Sequence, residues 1–323
     1  MTEQHGRRSE SPGDDMKRRT ILTAGSLAAA GALAGLSACS RASSSTSTAR
    51  TGAAPSVSGA VSPGATQSMG SQQTYTVTTE QLGFESAGNR IYGEVKRPDV
   101  QGRAPVVIVS HGFGGNHTQT PHMQELLAQH GVVVYSFDFA GGSGYESGQS
   151  EGSMTDMSVM TEVQNLRDAL TLVQGLDYID PNRIYLIGAS QGGVVTTLVA
   201  EDNPSGIPGI ALIYPAFSLF DDAHERFPTR EDITDTTNLM GLTVGRRYFE
   251  DVYDVTIDDH MTFAGQVLIF HGTADDIVPI SYSQRASTTF ANATLTTLDG
   301  EGHGFTEAAQ ETVADGILRM TTG

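Results

Sequence analysis

Residues 184–195 read Ile-Tyr-Leu-Ile-Gly-Ala-Ser-Gln-Gly-Gly-Val-Val, an apolar run followed by a segment rich in small residues. The apolar run 184–187 predicts a short strand that is buried on both faces. The motif Gly-x-Ser-x-Gly follows at 188–192, and residues 194–200 predict a helix. Two glycines relieve crowding in a sharp turn between a strand and a helix, which pushes the serine hydroxyl into the open. We therefore expect Ser190 to be an exposed nucleophile, with a purely structural turn as the alternative.

Short, nearly continuous apolar runs recur along the chain, and patterns of helical period lie between them. The other runs are residues 106–109, 132–135, 210–213 and 267–270. One apolar helical stripe consists of Val159, Val163, Leu166, Leu170 and Val173, with Gly175 placed to end the helix. Alternating strands and helices indicate the α/β class, with a mostly parallel, doubly wound sheet. Two alternating segments, near 75–82 and 91–95, predict an antiparallel hairpin that leads into this sheet.

The segment from about 217 to 262 interrupts the alternation of strands and helices. It combines many charged residues with scattered aromatic residues, leucine and methionine. We interpret it as a small helical cap insertion that covers the strand ends. The alternative is a peripheral excursion that only packs on the core.

The N-terminal residues have the pattern of an export signal. Lys-Arg-Arg-Thr at 17–20 precedes a run without charge at 21–38. The run ends in Leu-Ser-Ala, and Cys39 follows; this resembles the bacterial lipobox, whose cysteine sulfur receives a diacylglycerol before cleavage. A buried cysteine in an ordinary helix and a plain anchor helix are the alternatives. Arg-Arg-Thr-Ile-Leu at 18–22 also resembles a twin-arginine export signal.

These patterns divide the chain into three parts. Residues 1–39 are the predicted export signal, which begins at either Met1 or Met16, and residues 40–73 form a flexible linker of Ser, Thr, Ala and Gly. Such a linker cannot bury enough apolar surface to offset the entropy of ordering it. Residues 74–323 form the α/β domain. We expect an exported protein of the bacterial cell envelope whose contact with the membrane is a lipid anchor only.

Composition excludes several classes of function. The 323 residues carry a formal net charge of −18, which would repel nucleic acid. A single cysteine excludes an intrachain disulfide framework and any site with several thiolate ligands. His111, His117 and His122 have no zinc-binding spacing, and His111 is interpreted as a packed loop histidine. We therefore expect neither a metal nor a cofactor.

A serine nucleophile needs a base, and the base needs an orienting acid. After a strand–Gly-x-Ser-x-Gly–helix motif, the acid and then the histidine follow along the chain. Among the downstream histidines (His224, His260, His271 and His303), we favour His303, because glycines flank it in a loop after the strand-like segment 294–298. The spacing His-Gly-x-x-Asp from His271 favours Asp275 over Asp276 as the acid.

An acyl-transfer site also needs donors for the oxyanion. The residue after the nucleophile supplies one backbone N–H, here that of Gln191. The loop after 106–109 reads Ser-His-Gly-Phe-Gly-Gly-Asn at 110–116, and its glycines allow the backbone amides to turn inward. The N–H of Phe113 is the expected second donor.

With these motifs in this order, the chain resembles the serine α/β-hydrolases, and most closely the feruloyl (cinnamoyl) esterases. The matching stretches are 111–116, 137–144, 184–188, 190–195, 271–275 and 302–303. The resemblance implies the α/β-hydrolase fold with a triad of Ser190, Asp275 and His303, and an oxyanion hole from Phe113 and Gln191. The loop Gly-Gly-Ser-Gly-Tyr at 141–145 departs from the commoner Gly-His-Gly-x-Ser.

The leading hypothesis is a lipid-anchored hydrolase that cleaves small carboxylic esters through an acyl-enzyme. A serine peptidase of the aminopeptidase type would use the same triad on the same fold. A binding lipoprotein on a hydrolase scaffold is the third reading, although all three triad residues are present. The sequence leaves the acyl group, the alcohol and the oligomeric state open.

The predicted lipid anchor can be tested at Cys39. In cells that process lipoproteins, Cys39→Ser should release the protein from the membrane fraction into the culture fluid or leave its precursor uncleaved, because the acyl chains supply the membrane affinity. Fractionation with N-terminal sequencing measures both outcomes. Normal cleavage with unchanged membrane retention would contradict lipidation.

Overall fold

A computed structural model describes residues 73–203 and 205–323 of the chain. The predicted export signal 1–39, the lipidation site Cys39 and all but the last residue of the predicted linker lie outside these residues. Within the described ranges, no helix has the length and apolar character needed to cross a membrane. The same residues bring together no group of three metal-ligating side chains.

Twelve strands and seven helices make up the described domain. The strands are β1 Val77–Gln81, β2 Phe84–Ser86, β3 Asn89–Ile91, β4 Gly93–Pro98, β5 Ala104–Ser110, β6 Val133–Phe137, β7 Ile179–Ala189, β8 Gly209–Ile213, β9 Thr236–Leu239, β10 Leu242–Gly245, β11 Gln266–Gly272 and β12 Ala293–Leu298. The helices are α1 Pro121–Gln129, α2 Val159–Gln174, α3 Gln191–Asp202, α4 Leu219–Arg226, α5 Arg247–Glu250, α6 Ile280–Thr289 and α7 Glu307–Thr322. Short 3₁₀ turns occupy Arg230–Asp232 and Ile257–His260.

Eight strands form one sheet in the order β1-β4-β6-β5-β7-β8-β11-β12. The pairs β1–β4 and β4–β6 are antiparallel, and every pair from β6 to β12 is parallel. This is the predicted mostly parallel α/β sheet. The predicted N-terminal hairpin is also present, as the antiparallel pair β1–β4. A further small hairpin, β2–β3, is inserted between these two strands.

Helices cover both faces of the sheet, and strand β5 shows the division. All seven of its residues are buried. Val106 and Ile108 belong to the core under α2 and α3, while Val107 and Val109 belong to the core under α1 and α7. Because neighbouring side chains of a strand point to opposite faces, a continuous apolar run is what a doubly covered strand requires.

The insertion at 217–262 is not purely helical, which corrects the predicted helical cap. It contains α4, α5 and the two 3₁₀ turns, but also the two-stranded hairpin β9–β10. The hairpin turns at Met240 and Gly241, both of which have positive φ. Threonines at 236, 237 and 243 favour the extended backbone on either side of this turn.

Helix α2 carries an acidic residue on its buried face. Ser158 caps the helix, and the five residues of its predicted apolar stripe are buried. Glu162 lies on the same face, three residues after Val159, and is 1% exposed. Burial raises the pKa of Glu162 from about 4.5 to about 8, although a hydrogen bond from Gln191 opposes the shift. The carboxyl is therefore mostly neutral at pH 7.

A pKa that is higher in the folded than in the unfolded chain makes stability depend on pH. The contribution of Glu162 to the free energy of unfolding is fully present below pH 4.5. It is lost as the pH rises to about 8, because in this interval only the folded state holds the proton. The loss is about 1.4 kcal/mol for each pH unit in that interval. Glu162→Gln removes this titration. The Tm of the variant minus the Tm of the native chain should therefore increase as the pH rises from 5 to 8. Thermal unfolding at four pH values measures it, and a constant difference in Tm would contradict a buried neutral carboxyl.

Candidate active site

Ser190 lies in the sharp turn between β7 and α3, with φ 52° and ψ −120°. A Cβ atom at Gly188 would collide with the carbonyl oxygen of Gly192, and one at Gly192 would collide with that of Ser110. Both glycines of the motif are therefore required by close approach of the backbone. The turn is fixed to the sheet, because Ser190 N donates to the carbonyl oxygen of Ile213 at 2.9 Å. Helix α3 begins at Gln191, three residues before the predicted start.

The structure brings Ser190, His303 and Asp275 together at the carboxyl edge of the sheet. His303 Nε2 is 2.9 Å from Ser190 Oγ, and His303 Nδ1 is 2.8 Å from Asp275 Oδ2. A carboxylate only accepts hydrogen bonds, so Nδ1 carries the proton and Nε2 accepts from the serine hydroxyl. Asp276 is exposed and lies outside this chain of hydrogen bonds. The side chains are thus arranged as nucleophile, base and orienting acid.

Asp275 is held as a carboxylate by several donors. Burial of its side chain would raise its pKa, but hydrogen bonds from His271, His303 and the backbone N–H groups of Val278 and Ile277 outweigh burial and hold the pKa well below its usual range. The two backbone donors lie 2.9 and 3.0 Å from Asp275 Oδ1. His271 Nε2 lies 3.2 Å from Oδ2. His271 therefore helps to orient the acid.

Tyr214 is a site residue that sequence reasoning missed. Its ring lies 4.6 Å from the imidazole of His303, between centroids, and its backbone has a φ of 36°. Phe305 packs edge-on against the Tyr214 ring, with centroids 4.8 Å apart. The only sequence signal was its position directly after the apolar run 210–213, at the edge of the sheet where Ser190 also lies. Tyr214 limits the tilt of the imidazole.

His111 orients the peptide group between Gly112 and Phe113. Its Nδ1 donates to the carbonyl oxygen of Gly112 at 2.8 Å, and its Nε2 accepts from the N–H of Phe139 at 3.0 Å. Burial lowers the pKa of His111 to about 4, so the ring is neutral at pH 7. The N–H of Phe113 belongs to the same peptide group as the carbonyl of Gly112. Fixing the carbonyl therefore fixes the direction of that N–H.

The backbone N–H groups of Phe113 and Gln191 flank Ser190. Neither donates to a protein acceptor within residues 73–203 and 205–323. A Cβ atom at Gly112 would lie 3.0 Å from Ser190 Cβ, which shows how closely this loop approaches the serine. Two unpaired donors beside a nucleophile are what stabilisation of an oxyanion requires.

A cavity of about 550 Å³ opens at Ser190. It is lined by Phe113, Ser190, Gln191, Ala216, Ser218, Leu219, Asp222, Glu225, Arg226, Leu239, Met240, Tyr248, Phe249, Ile277 and Val278. Most of these residues belong to the insertion 217–262. The insertion therefore forms walls of the cavity in addition to packing on the core.

Comparisons with known proteins agree with this architecture. Residues 101–246 match the family described as "Serine aminopeptidase, S33". RutD of Caulobacter sp. (strain K31) is 25% identical over 256 residues, which cover 67% of this chain and 90% of RutD. The monoglyceride lipase of Mus musculus is 33% identical over 113 residues, about a third of each chain.

Solved structures share the fold over most of the described domain. Est1E from Butyrivibrio proteoclasticus, solved with bound ferulic acid, has a TM-score of 0.68 and 24% identity, and the match covers 75% of this chain and 100% of Est1E. Acetyl xylan esterase 1 from Thermoanaerobacterium sp. JW/SL YS485 has a TM-score of 0.55 and 16% identity, over 76% of this chain and 88% of that enzyme. The sheet order, the Ser190 turn and these comparisons show that the described domain has the α/β-hydrolase fold, and the matched family and relatives are hydrolases.

Proposed function

We propose that this hydrolase cleaves carboxylic esters through an acyl-enzyme formed on Ser190. The observation that carries the proposal is the pair of hydrogen bonds that joins Ser190 Oγ to His303 and His303 to Asp275 beside a mainly apolar cavity. A serine hydroxyl becomes nucleophilic only when a base within hydrogen-bond reach accepts its proton. His303 Nε2 is that base.

The reaction proceeds in two halves. Ser190 Oγ attacks the ester carbonyl while its proton passes to His303 Nε2, and the Asp275 carboxylate stabilises the imidazolium. The Phe113 and Gln191 N–H groups bind the oxyanion, and loss of one such donor typically costs about 2.7–4 kcal/mol of transition-state stabilisation. The alcohol then leaves with the proton of His303. In the second half, water passes a proton to His303 and attacks the acyl carbonyl; the bond to Ser190 Oγ then breaks, His303 returns the proton to that oxygen, and the acid leaves.

The lining of the cavity supports a mainly apolar acyl or alcohol group. Phe113, Leu219, Leu239, Phe249 and Val278 contribute carbon surface near Ser190. Burial of such surface is worth roughly 25 cal/mol per Å². The structural likeness to Est1E with ferulic acid and the partial match to a monoglyceride lipase are both consistent with an ester substrate.

An aminopeptidase is the second candidate, and two observations favour it. The matching family carries that description. In addition, Asp222 and Glu225 are among the residues that line the cavity, and a carboxylate there would suit the ammonium group of a peptide N-terminus. Arg226 lines the same cavity and offsets part of this negative charge.

We also propose that the enzyme acts in the bacterial cell envelope, attached through lipid on Cys39 after export. The proposal rests on the basic, apolar and lipobox-like order of residues 17–39. The linker at 40–73 would then hold the catalytic domain away from the membrane surface.

Substitutions at the triad test the assigned roles. Ser190→Ala should lower kcat by a factor of about 10⁴–10⁶, and His303→Ala should cost nearly as much, because the residues act as one unit. Asp275→Asn should cost less than either, since the imidazole remains and loses only its orientation and charge stabilisation. Asp276→Asn is the matched control, with kcat close to native. A larger loss in Asp276→Asn than in Asp275→Asn would show that the acid is misassigned.

Two substrate panels separate the candidate functions. The native enzyme should hydrolyse p-nitrophenyl esters much faster than aminoacyl-nitroanilides, because the cavity walls near Ser190 are mainly apolar. A fluorophosphonate probe should label Ser190, and Ser190→Ala should not be labelled. Faster cleavage of the nitroanilides, with loss of that preference in Asp222→Asn, would favour the aminopeptidase. Absence of both labelling and turnover would favour a binding protein.

A further inference from the structure

The side chain of Gln191 is held at both ends by buried hydrogen bonds. Its Nε2 donates to Glu162 Oε2 at 2.8 Å, and its Oε1 accepts from the hydroxyl of Tyr248 at 2.6 Å. All three residues are at most 3% exposed. Burial raises the pKa of Tyr248 well above its ordinary value, so its hydroxyl keeps the proton that it donates. The hydrogen bonds connect the insertion to helix α2 through the residue that follows the nucleophile.

The same tyrosine also contacts the other side of the oxyanion hole. The ring of Tyr248 packs edge-on against that of Phe113, with centroids 5.7 Å apart and planes 70° apart. Phe113 and Gln191 carry the two backbone N–H groups of the proposed oxyanion hole. One side chain of the insertion therefore touches both residues that supply donors, and it does so in the wall of the substrate cavity.

We propose that Tyr248 and Glu162 are positioning residues that hold Gln191, and with it the oxyanion hole, in the geometry that the transition state requires. This inference rests on the proposed function. Gln191 is the first residue of α3, where its N–H has no partner in the preceding turn. A side chain fixed from two elements limits the backbone rotation that would turn this N–H away from Ser190.

The charge state of Glu162 suits this role. A carboxylate beside the hole would oppose the negative charge that develops on the substrate oxygen. Since burial keeps Glu162 mostly neutral at pH 7, the carboxyl accepts the hydrogen bond from Gln191 without placing a full charge there. Tyr248 is neutral as well, so the hydrogen bonds orient the hole without adding charge to it.

A positioning role predicts an effect on kcat with little effect on KM. Tyr248→Phe keeps the ring in the cavity wall and removes only the hydroxyl. Its kcat on a p-nitrophenyl ester should fall about 3- to 10-fold, the range expected for the loss of one hydrogen bond. KM should stay within twofold of native. The rate of labelling by a fluorophosphonate should fall by a similar factor, since that reaction also builds charge on an oxygen in the hole.

Tyr253→Phe is the matched control. Tyr253 is a buried tyrosine of the same insertion, and its hydroxyl donates to the carbonyl oxygen of Phe227 at 2.8 Å. It does not line the cavity. Removal of this hydroxyl should leave kcat and the labelling rate unchanged, although both variants lose one buried hydrogen bond.

Variants of Glu162 test the hydrogen bond at the Nε2 end of the Gln191 side chain. Glu162→Leu removes the acceptor and should lower kcat, whereas Glu162→Gln retains an acceptor and should lose less. Equal kcat in Tyr248→Phe and Tyr253→Phe, or a change confined to KM, would overturn the positioning role while leaving the proposed function intact. A native chain that shows neither ester turnover nor labelling at Ser190 would overturn both.

Discussion

The strained backbone of Ser190 fixes the position of the nucleophile, and the other site residues are arranged around it. A non-glycine residue at φ 52° and ψ −120° lies in a sparsely populated region, which costs on the order of 1–3 kcal/mol. Three backbone hydrogen bonds offset this cost: Ser190 N donates to Ile213, and Ser190 O accepts from Gly193 and Ala216. The strained conformation persists because the backbone of Ser190 is hydrogen-bonded both to the neighbouring strand β8 and to the first turn of α3. In this conformation Ser190 Oγ points away from the sheet toward His303.

Burial and hydrogen bonding then assign a charge to each titratable group around that turn. Asp275 stays ionised because four donors outweigh the effect of burial on its pKa. His111 and Glu162 are buried without comparable compensation, so burial keeps the first unprotonated and the second protonated near pH 7. A negative charge therefore lies behind His303, where it stabilises an imidazolium. The groups that orient the proposed oxyanion hole are neutral.

The sequence predicted those features that depend on local patterns. Continuous apolar runs identified the central strands. Of the three residues selected by the order of motifs, Ser190 and Asp275 each lie within hydrogen-bonding distance of the third, His303, in the fold. The contact of the Tyr214 ring with His303 was not predictable, because no local sequence pattern encodes it. The β9–β10 hairpin was missed because scattered aromatic residues dominate the pattern of the insertion.

Glu162 is an intermediate case, since the helical stripe of α2 already placed it on the buried face. An acidic residue at such a position is costly unless it is neutral or hydrogen-bonded. An acidic residue at a position predicted to be buried therefore indicates a role for Glu162. Its partner Gln191 could not be identified without the fold.

The architecture separates the chemistry of the site from the shape of its cavity. Ser190, Asp275 and His303 lie on segments that leave rigid parallel strands, whereas most of the cavity wall comes from the insertion. Substitutions in that wall can change which substrate fits while the hydrogen bonds of the triad remain. Tyr248 is the exception, because its ring lines the cavity and its hydroxyl binds the side chain of Gln191. A substrate that presses on this ring acts on the same residue that orients the hole, so binding and transition-state stabilisation are coupled at this one position of the insertion.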